Sequence, residues 1–374
     1  MNFELDETQT LIRNSVARFL NDAYAFPERQ HIVATESGYL EEHWQQFAEL
    51  GLLAASVPEE LGGLGGGTDA AAIIAEQLGR HLMVSPYVPN VLALSLLAEA
   101  GNENQHALLA EAAAGQHKFA LAALEPEARY RLTDVQCHAE HIGSDYRLTG
   151  HKTAVHFGSV ADTLIVTART QATRYDHHGI TLFLVQASQA GVDVQPFRTH
   201  DGGTSAEVRL DGVVVANEAV VGLPGNGLAA LEQAVDIANT VMCAEAVGAM
   251  WASYEQTLDY LKVRSQFGAI LGSMQALQHR MVNVYMQCEL AQSMLYSALA
   301  GLQEQDSVAR AQAVSGAKYQ IMQAAQTVTR EGIQLHGGMG MMRELPIGHY
   351  LKRVTMINTT YGDAEFHLER AAAA

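Results

Sequence analysis

Apolar positions recur at helical spacing along the first third of the chain. From Glu7 to Ala23, Leu11, Ile12, Val16, Phe19 and Leu20 fall on one face of a helix, and Leu40 to Leu53 repeats the pattern through Trp44, Phe47 and Leu50. Val57 to Gly67, V-P-E-E-L-G-G-L-G-G-G, interrupts it, because Pro58 and five glycines stop any helix. The stretch lacks the Gly-Lys-Ser/Thr ending of a phosphate loop, so it reads as a glycine-rich turn whose backbone can approach a ligand or another helix. Helical spacing resumes from Asp69 to Leu82 and from Val88 to Ala113.

Near Lys118 the period changes. Phe119 to Ala123, Asp145 to Leu148, Thr163 to Ala168, Ile180 to Val185, Val192 to Pro196 and Ala206 to Val215 are short alternating or β-branched runs separated by Gly and Asp turns. No helical pattern intervenes, which predicts an antiparallel barrel or sandwich and argues against a parallel nucleotide-binding sheet. After Pro224, Gly225 and Gly227 the chain turns helical again: Leu228 to Val263, Met274 to Gln303, Ser307 to Leu335 and a closing helix after Pro346. Lengths of this kind predict an up-and-down four-helix bundle with broad apolar faces. The expected fold is thus α+β in several lobes: a helical domain over residues 1–118, a β domain over 119–227 and a bundle over 228–374.

Composition narrows the partners. Of 374 residues, 23 are basic and 41 acidic, a net charge of −18, with no basic run to offset it. Nucleic acid and anionic membrane surfaces are therefore not expected partners. The three cysteines, Cys137, Cys243 and Cys288, are too scattered for a disulfide framework or a thiolate metal site. No His or carboxylate cluster has ligand spacing, so no metal is expected. The acidic start M-N-F-E-L-D-E-T has no leader pattern and no apolar run reaches a membrane span, which points to the cytoplasm.

The chemistry-bearing stretches are Y-L-K-V-R-S-Q-F-G from Tyr260 and Q-L-H-G-G-M-G from Gln334. Arg264, Gln266 and Phe267 set a guanidinium, an amide and a ring within four residues, ahead of a glycine. Physically this is either a solvated helix cap or a cationic fork for a pyrophosphate beside a ring for a flat heterocycle.

Taken with A-E-L-G-L-L from Ala48, V-P-E-E-L-G-G from Val57, G-H-K from Gly150, A-D-T-L-I-V-T-A-R-T from Ala161 and the extension G-A-I-L-G-S-M-Q from Gly268, these motifs run nearly end to end. The chain resembles the acyl-CoA dehydrogenase family of flavoproteins. Within it, E-P-E-A-R-Y at Glu125, C-A-E-A-V-G-A-M at Cys243, I-G-H-Y-L-K-R at Ile347 and Y-G-D-A-E-F-H-L at Tyr361 resemble the small subunit of pimeloyl-CoA dehydrogenase and its relatives, which pair with a different large subunit. The resemblance implies FAD as cofactor, with Arg264 at the pyrophosphate, Phe267 against the flavin nucleotide, and Gln275, Gln334 and Gly338 at its adenine and ribose end. It implies α,β-desaturation of an acyl-CoA thioester, electrons leaving to an electron-transfer flavoprotein.

Departures from the family pattern bear on who supplies the base. Bulky Glu127, Ala128, Arg129 and Tyr130 follow Glu125 and Pro126 where many members have a Gly-Ser-Asp step, and Ala154 and His156 replace a Trp and a Thr that flank the flavin. The two usual positions for the catalytic Glu correspond to Gly362 and Ala238. Glu245 lies two helical turns beyond Ala238, within ~20° of the same face. Among Met242, Cys243, Ala244, Val247 and Met250, it is a candidate base in apolar surroundings that raise a carboxylate pKa, with a cation-paired Glu as the alternative. Asp363 is a second candidate, with a helix cap as its alternative. Three assemblies are open: a small subunit sharing FAD with a large partner, a self-sufficient homo-oligomer (a dimer or tetramer) using Glu245, and a flavin-free scaffold.

Overall fold

A computed structural model describes residues 5–373. The chain divides into two compact units, one of Met1–Ile32, Thr68–Val84 and Asn239–Ala374, the other of Val33–Gly67 and Ser85–Ala238. Helices of the first third contribute to both.

The first unit contains α1 (Glu7–Ala23), α2 (Phe26–Ile32), α4 (Gly67–His81) and most of α7 (Leu228–Val263), followed by α8 (Gln275–Gly301), α9 (Ser307–His336), α10 (Ile347–Thr359) and α11 (Ala364–Ala373). Asp6 opens α1 with a capping box: its side chain accepts from the Gln9 backbone amide, and the Gln9 side-chain oxygen accepts from the Asp6 backbone amide. α4 and α7 pack backbone against backbone. A Cβ on Gly79 would lie 1.8 Å from the Glu245 carbonyl oxygen and one on Gly248 1.9 Å from that of Glu76, so glycine alone lets the two helices touch. The closing helix expected after Pro346 is two helices, α10 and α11, broken at residues 360–363.

The second unit holds α3 (Glu41–Glu49), α5 (Tyr87–Ala100), α6 (Glu103–Ala113) and the sheet. The helical pattern from Val88 to Ala113 is split because Asn102 starts a new capping box on Gln105. The strands are β1 (Phe119–Ala122), β2 (His138–Ile142), β3 (Asp145–His156), β4 (Thr163–Arg169), β5 (Ile180–Gln186), β6 (Val192–Arg198), β7 (Thr204–Val215) and β8 (Val220–Val221). They run β6-β7-β3-β2-β4-β5-β8, with β1 on β4. Pairing is mostly antiparallel, but β1 joins β4 in parallel, Phe119 opposite Thr163, and β2 meets β4 in parallel at His138 and Arg169. The antiparallel expectation needs that correction: β1 arrives from α6 instead of from a hairpin, so it can enter the sheet in either sense. Leu148, Val155, Leu164, Val166, Phe183 and Val208 fill the core.

Candidate functional site

The two chemistry-bearing stretches meet at one end of the helical unit. α7 stops at Val263, and the next residues fold into a minimal hairpin, β9 (Ser265–Gln266) against β10 (Ala269–Ile270). Its two turn residues, Phe267 and Gly268, have φ of +54° and +79°, the twist a two-residue hairpin loop requires. Phe267 adopts this at some steric cost and leaves its ring 90% exposed. Arg264 and Gln266 are exposed beside it, and no ion pair or side-chain hydrogen bond engages Arg264 among the described residues.

One turn back, the Tyr260 ring stacks on His336, centroids 4.3 Å apart and planes 22° apart. The Tyr260 hydroxyl donates to the His336 carbonyl at 3.4 Å, and His336 Nδ1 lies 2.8 Å from the Gly332 carbonyl. Burial holds the His336 pKa below its ordinary value, so the ring serves as a neutral spacer. Beneath the stack, Leu261, Met281 and Leu335 form a small core, and Arg280 pairs with Glu331 at 2.7 Å. This packing gathers Arg264, Gln266 and Phe267, Gln275 at the first turn of α8, and Gln334 and Gly338 at the end of α9. Gln275, Gln334 and Gly338 are all exposed. Cβ atoms on Gly337 and Gly338 would meet nothing within 4 Å.

An unengaged guanidinium, three exposed carboxamides, a bare ring and an open glycine backbone fit the pyrophosphate, the heterocycle and the sugar edge of a flavin dinucleotide. The sheet offers less. Glu125 is buried and accepts from the Gln136 and Cys137 amides at 2.8 and 3.0 Å and from Lys152 Nζ at 2.7 Å. Lys152, the lysine of G-H-K, is fully enclosed and also donates to Thr167 Oγ1 at 2.9 Å. Both charges are therefore spent inside the sheet. His156 is buried edge-on to Phe157, with Nδ1 3.5 Å from Ser205 Oγ. Arg129 sits in a turn at φ +49°.

The candidate bases sit as their alternatives had it, a cation-paired Glu and a helix-capping Asp. Glu245 is 1% exposed, but it does not stand alone among apolar neighbours: Arg353 of α10 meets it with two donors, Nε on Oε1 and Nη2 on Oε2 at 2.8 Å. The apolar reading of Glu245 is corrected by this bidentate pair, whose cation lies 108 residues away in the sequence. Asp363 starts α11, accepting from the Phe366 amide at 2.9 Å. Spacing also gave no sign of Lys318. It is fully buried, and its amine donates to Asn239 Oδ1 at 2.7 Å and to the Thr360 carbonyl. Burial brings its pKa down to about 7, with Cys243 and Asp363 acting weakly the other way. Only its position inside the apolar face of α9 could have flagged it. Among the described residues no group of three or more His, Cys, Asp or Glu is placed to hold a metal, and no helix is long and apolar enough to cross a membrane.

A largely helical unit with a dinucleotide-suited end on its bundle, in one chain with this mostly antiparallel sheet, defines a flavin-dependent oxidoreductase class. The description "Acyl-CoA dehydrogenase, N-terminal domain" matches residues 6–116, "middle domain" residues 120–213 and "C-terminal domain" residues 225–374. Isovaleryl-CoA dehydrogenase of Solanum tuberosum is 29% identical, over 96% of this chain and 88% of its own. The long-chain specific acyl-CoA dehydrogenase of Sus scrofa is 30% identical over 82% and 72%. A solved chain of the ChsE4-ChsE5 complex from Mycobacterium tuberculosis superposes with a TM-score of 0.90 at 25% identity, covering all of this chain and 98% of its own. The chain belongs to the acyl-CoA dehydrogenase family, whose members are oxidoreductases that use FAD.

Proposed function

We propose that this chain is the small subunit of a two-chain acyl-CoA dehydrogenase and shares one FAD with a large partner that supplies the base. The observation that carries this reading is the engagement of its candidate carboxylates: Glu245 is closed by Arg353, and Asp363 is committed to capping α11. A base must reach the α carbon of a thioester and be ready to take its proton, and a carboxylate that is 1% exposed and held by two guanidinium donors is both shut away and stabilised in its charged form.

When bound, FAD supplies the two-electron acceptor for α,β-desaturation of the acyl-CoA. Toward it, Arg264 neutralises the pyrophosphate, Phe267 covers the nucleotide, Gln275 and Gln334 hydrogen-bond its adenine and ribose end, and Gly338 leaves room for it. Gln266, exposed on the hairpin beside Arg264 and Phe267, offers a third carboxamide to the dinucleotide. The acceptor of the electrons is an electron-transfer flavoprotein. Support for two chains comes from the ChsE4-ChsE5 structure, itself a complex of two named proteins. The likeness of the segments at Glu125, Cys243, Ile347 and Tyr361 to the pimeloyl-CoA dehydrogenase small subunit supports a dicarboxylyl or bulky ring-derived acyl group. Three free, buried thiols accord with a cytoplasmic setting.

The test is the flavin-to-chain ratio of the protein expressed alone and with a partner dehydrogenase chain. Little flavin alone, rising to about one per pair, is expected. A full complement and turnover by the single chain would overturn the reading, and anaerobic bleaching lost in Glu245→Gln would then restore Glu245 as base.

A further inference from the structure

The break between α10 and α11, residues 360–363, is held from two sides. Lys318 donates to the Thr360 carbonyl, and His367 Nε2 lies 3.3 Å from the next carbonyl, that of Tyr361. His367 is fully buried, and its tautomer follows from its neighbours. Ser315 Oγ accepts from Arg370 Nη1 at 3.0 Å, so its own proton is directed to His367 Nδ1 at 3.1 Å, which leaves Nε2–H to donate to Tyr361. Burial first, and then the charges of Lys318 and Arg370, hold His367 well below the ordinary histidine pKa, so the ring stays neutral and the tautomer fixed.

Directly after these two anchored carbonyls comes Gly362, at φ +122°, a conformation that L side chains rarely adopt. A Cβ there would stand 2.5 Å from His367 Nε2, 2.6 Å from Phe366 Cδ1 and 2.9 Å from His367 Cδ2. The imidazole thus takes the volume into which a side chain at 362 would project, while its hydrogen bond fixes the backbone that makes the approach so close.

We propose that His367 is a positioning residue that locks residues 360–363 in a form only glycine can occupy at 362, so that position 362, one of the two usual places for the base, carries no side chain. The inference rests on the two-chain reading for its meaning and on geometry for its content. It also explains why the missing base is not one substitution away: Gly362→Glu would have to displace the ring and abandon two anchored carbonyls.

Thermal unfolding of four variants tests it: Gly362→Ala, His367→Ala, His367→Gln and Gly362→Ala with His367→Ala. Gly362→Ala is expected to lose several degrees of Tm, and the double variant to melt above it, because removing the ring frees both the space and the backbone. His367→Gln keeps a donor for Tyr361 and is expected to melt near the native chain. If Gly362→Ala does not accumulate as folded protein, recovery of soluble, cooperatively melting protein in the double variant is the same result. Additive losses, no recovery in the double variant, or a native Tm for Gly362→Ala would each overturn the proposal. None of these readouts depends on flavin, so the two-chain reading can fail on its stoichiometry while the lock stands, or the reverse.

Discussion

At the scale of single residues, the buried charges decide most. Glu245 and Arg353 are each nearly inaccessible, and removing one partner of such a pair strands the other, at a cost of about 3–5 kcal/mol. Glu245→Gln is expected to lose stability in that range by urea titration, and Glu245→Leu with Arg353→Met to recover most of it. A double variant no better than the singles would show that the pair is not coupled. Lys318 makes a pH prediction. Its folded pKa, about 7, lies below the ordinary lysine value of 10.5, so between those limits the unfolded chain binds the proton that the folded chain refuses. Stability should rise as pH climbs from 7 toward 10, and the penalty is fully present below 7. Lys318→Met lacks this slope while losing the bonds to Asn239 and Thr360; equal slopes in urea melts at pH 7, 8 and 9 would contradict the assignment. None of these partners was legible in the sequence. Glu245 could be placed on a helix face by counting, but Arg353 comes from another helix, and spacing carries no information on which distant side chain will fold against it.

At the scale of elements, local pattern was a better guide. Both ends of α1 and α7 are where apolar periodicity puts them, since a capping box fixes one and a proline and glycine cluster precedes the other. Short strands were less readable. His138–Ile142 carries two histidines and a glutamate among its five residues and exposes all three, so its polarity hid it. The parallel entry of β1 is a matter of tertiary arrival, which local alternation does not encode. The hairpin after α7 is an element whose exposure is its point. Phe267 makes little contribution to a fold it barely touches, so Phe267→Ala and Arg264→Ala should leave the melting of the isolated chain within about 0.5 kcal/mol of native. Flavin retention by the assembled pair should fall by roughly tenfold or more for each, about 1.4 kcal/mol. A large loss of Tm, or unchanged flavin retention, would place these residues in folding and not in cofactor binding.

At the scale of the whole molecule, the question is what covers the apolar surface of the long helices. α8 exposes Val282, Met286 and Leu290 at successive turns, with Tyr285 beside them, each 42–56% accessible. They flank a groove of about 500 Å³ lined by Tyr254, Leu258, Leu261, Leu277 and Met281. Isolated exposed apolar side chains are ordinary, but a stripe at helical spacing next to an apolar groove is the signature of an association surface. The same segment begins at Gln275, one of the residues assigned to the flavin, so assembly through α8 and cofactor retention should be lost together. Met286→Glu with Leu290→Glu places two charges on that stripe without touching the buried side of α8, where Val284, Cys288 and Ala291 lie. Light scattering after size exclusion is expected to show the assembled species shifting to smaller mass, with circular dichroism unchanged and flavin released in proportion. Retained mass would put the association surface elsewhere. A smaller species that keeps its flavin would mean that the dinucleotide is held within one chain, against the shared site.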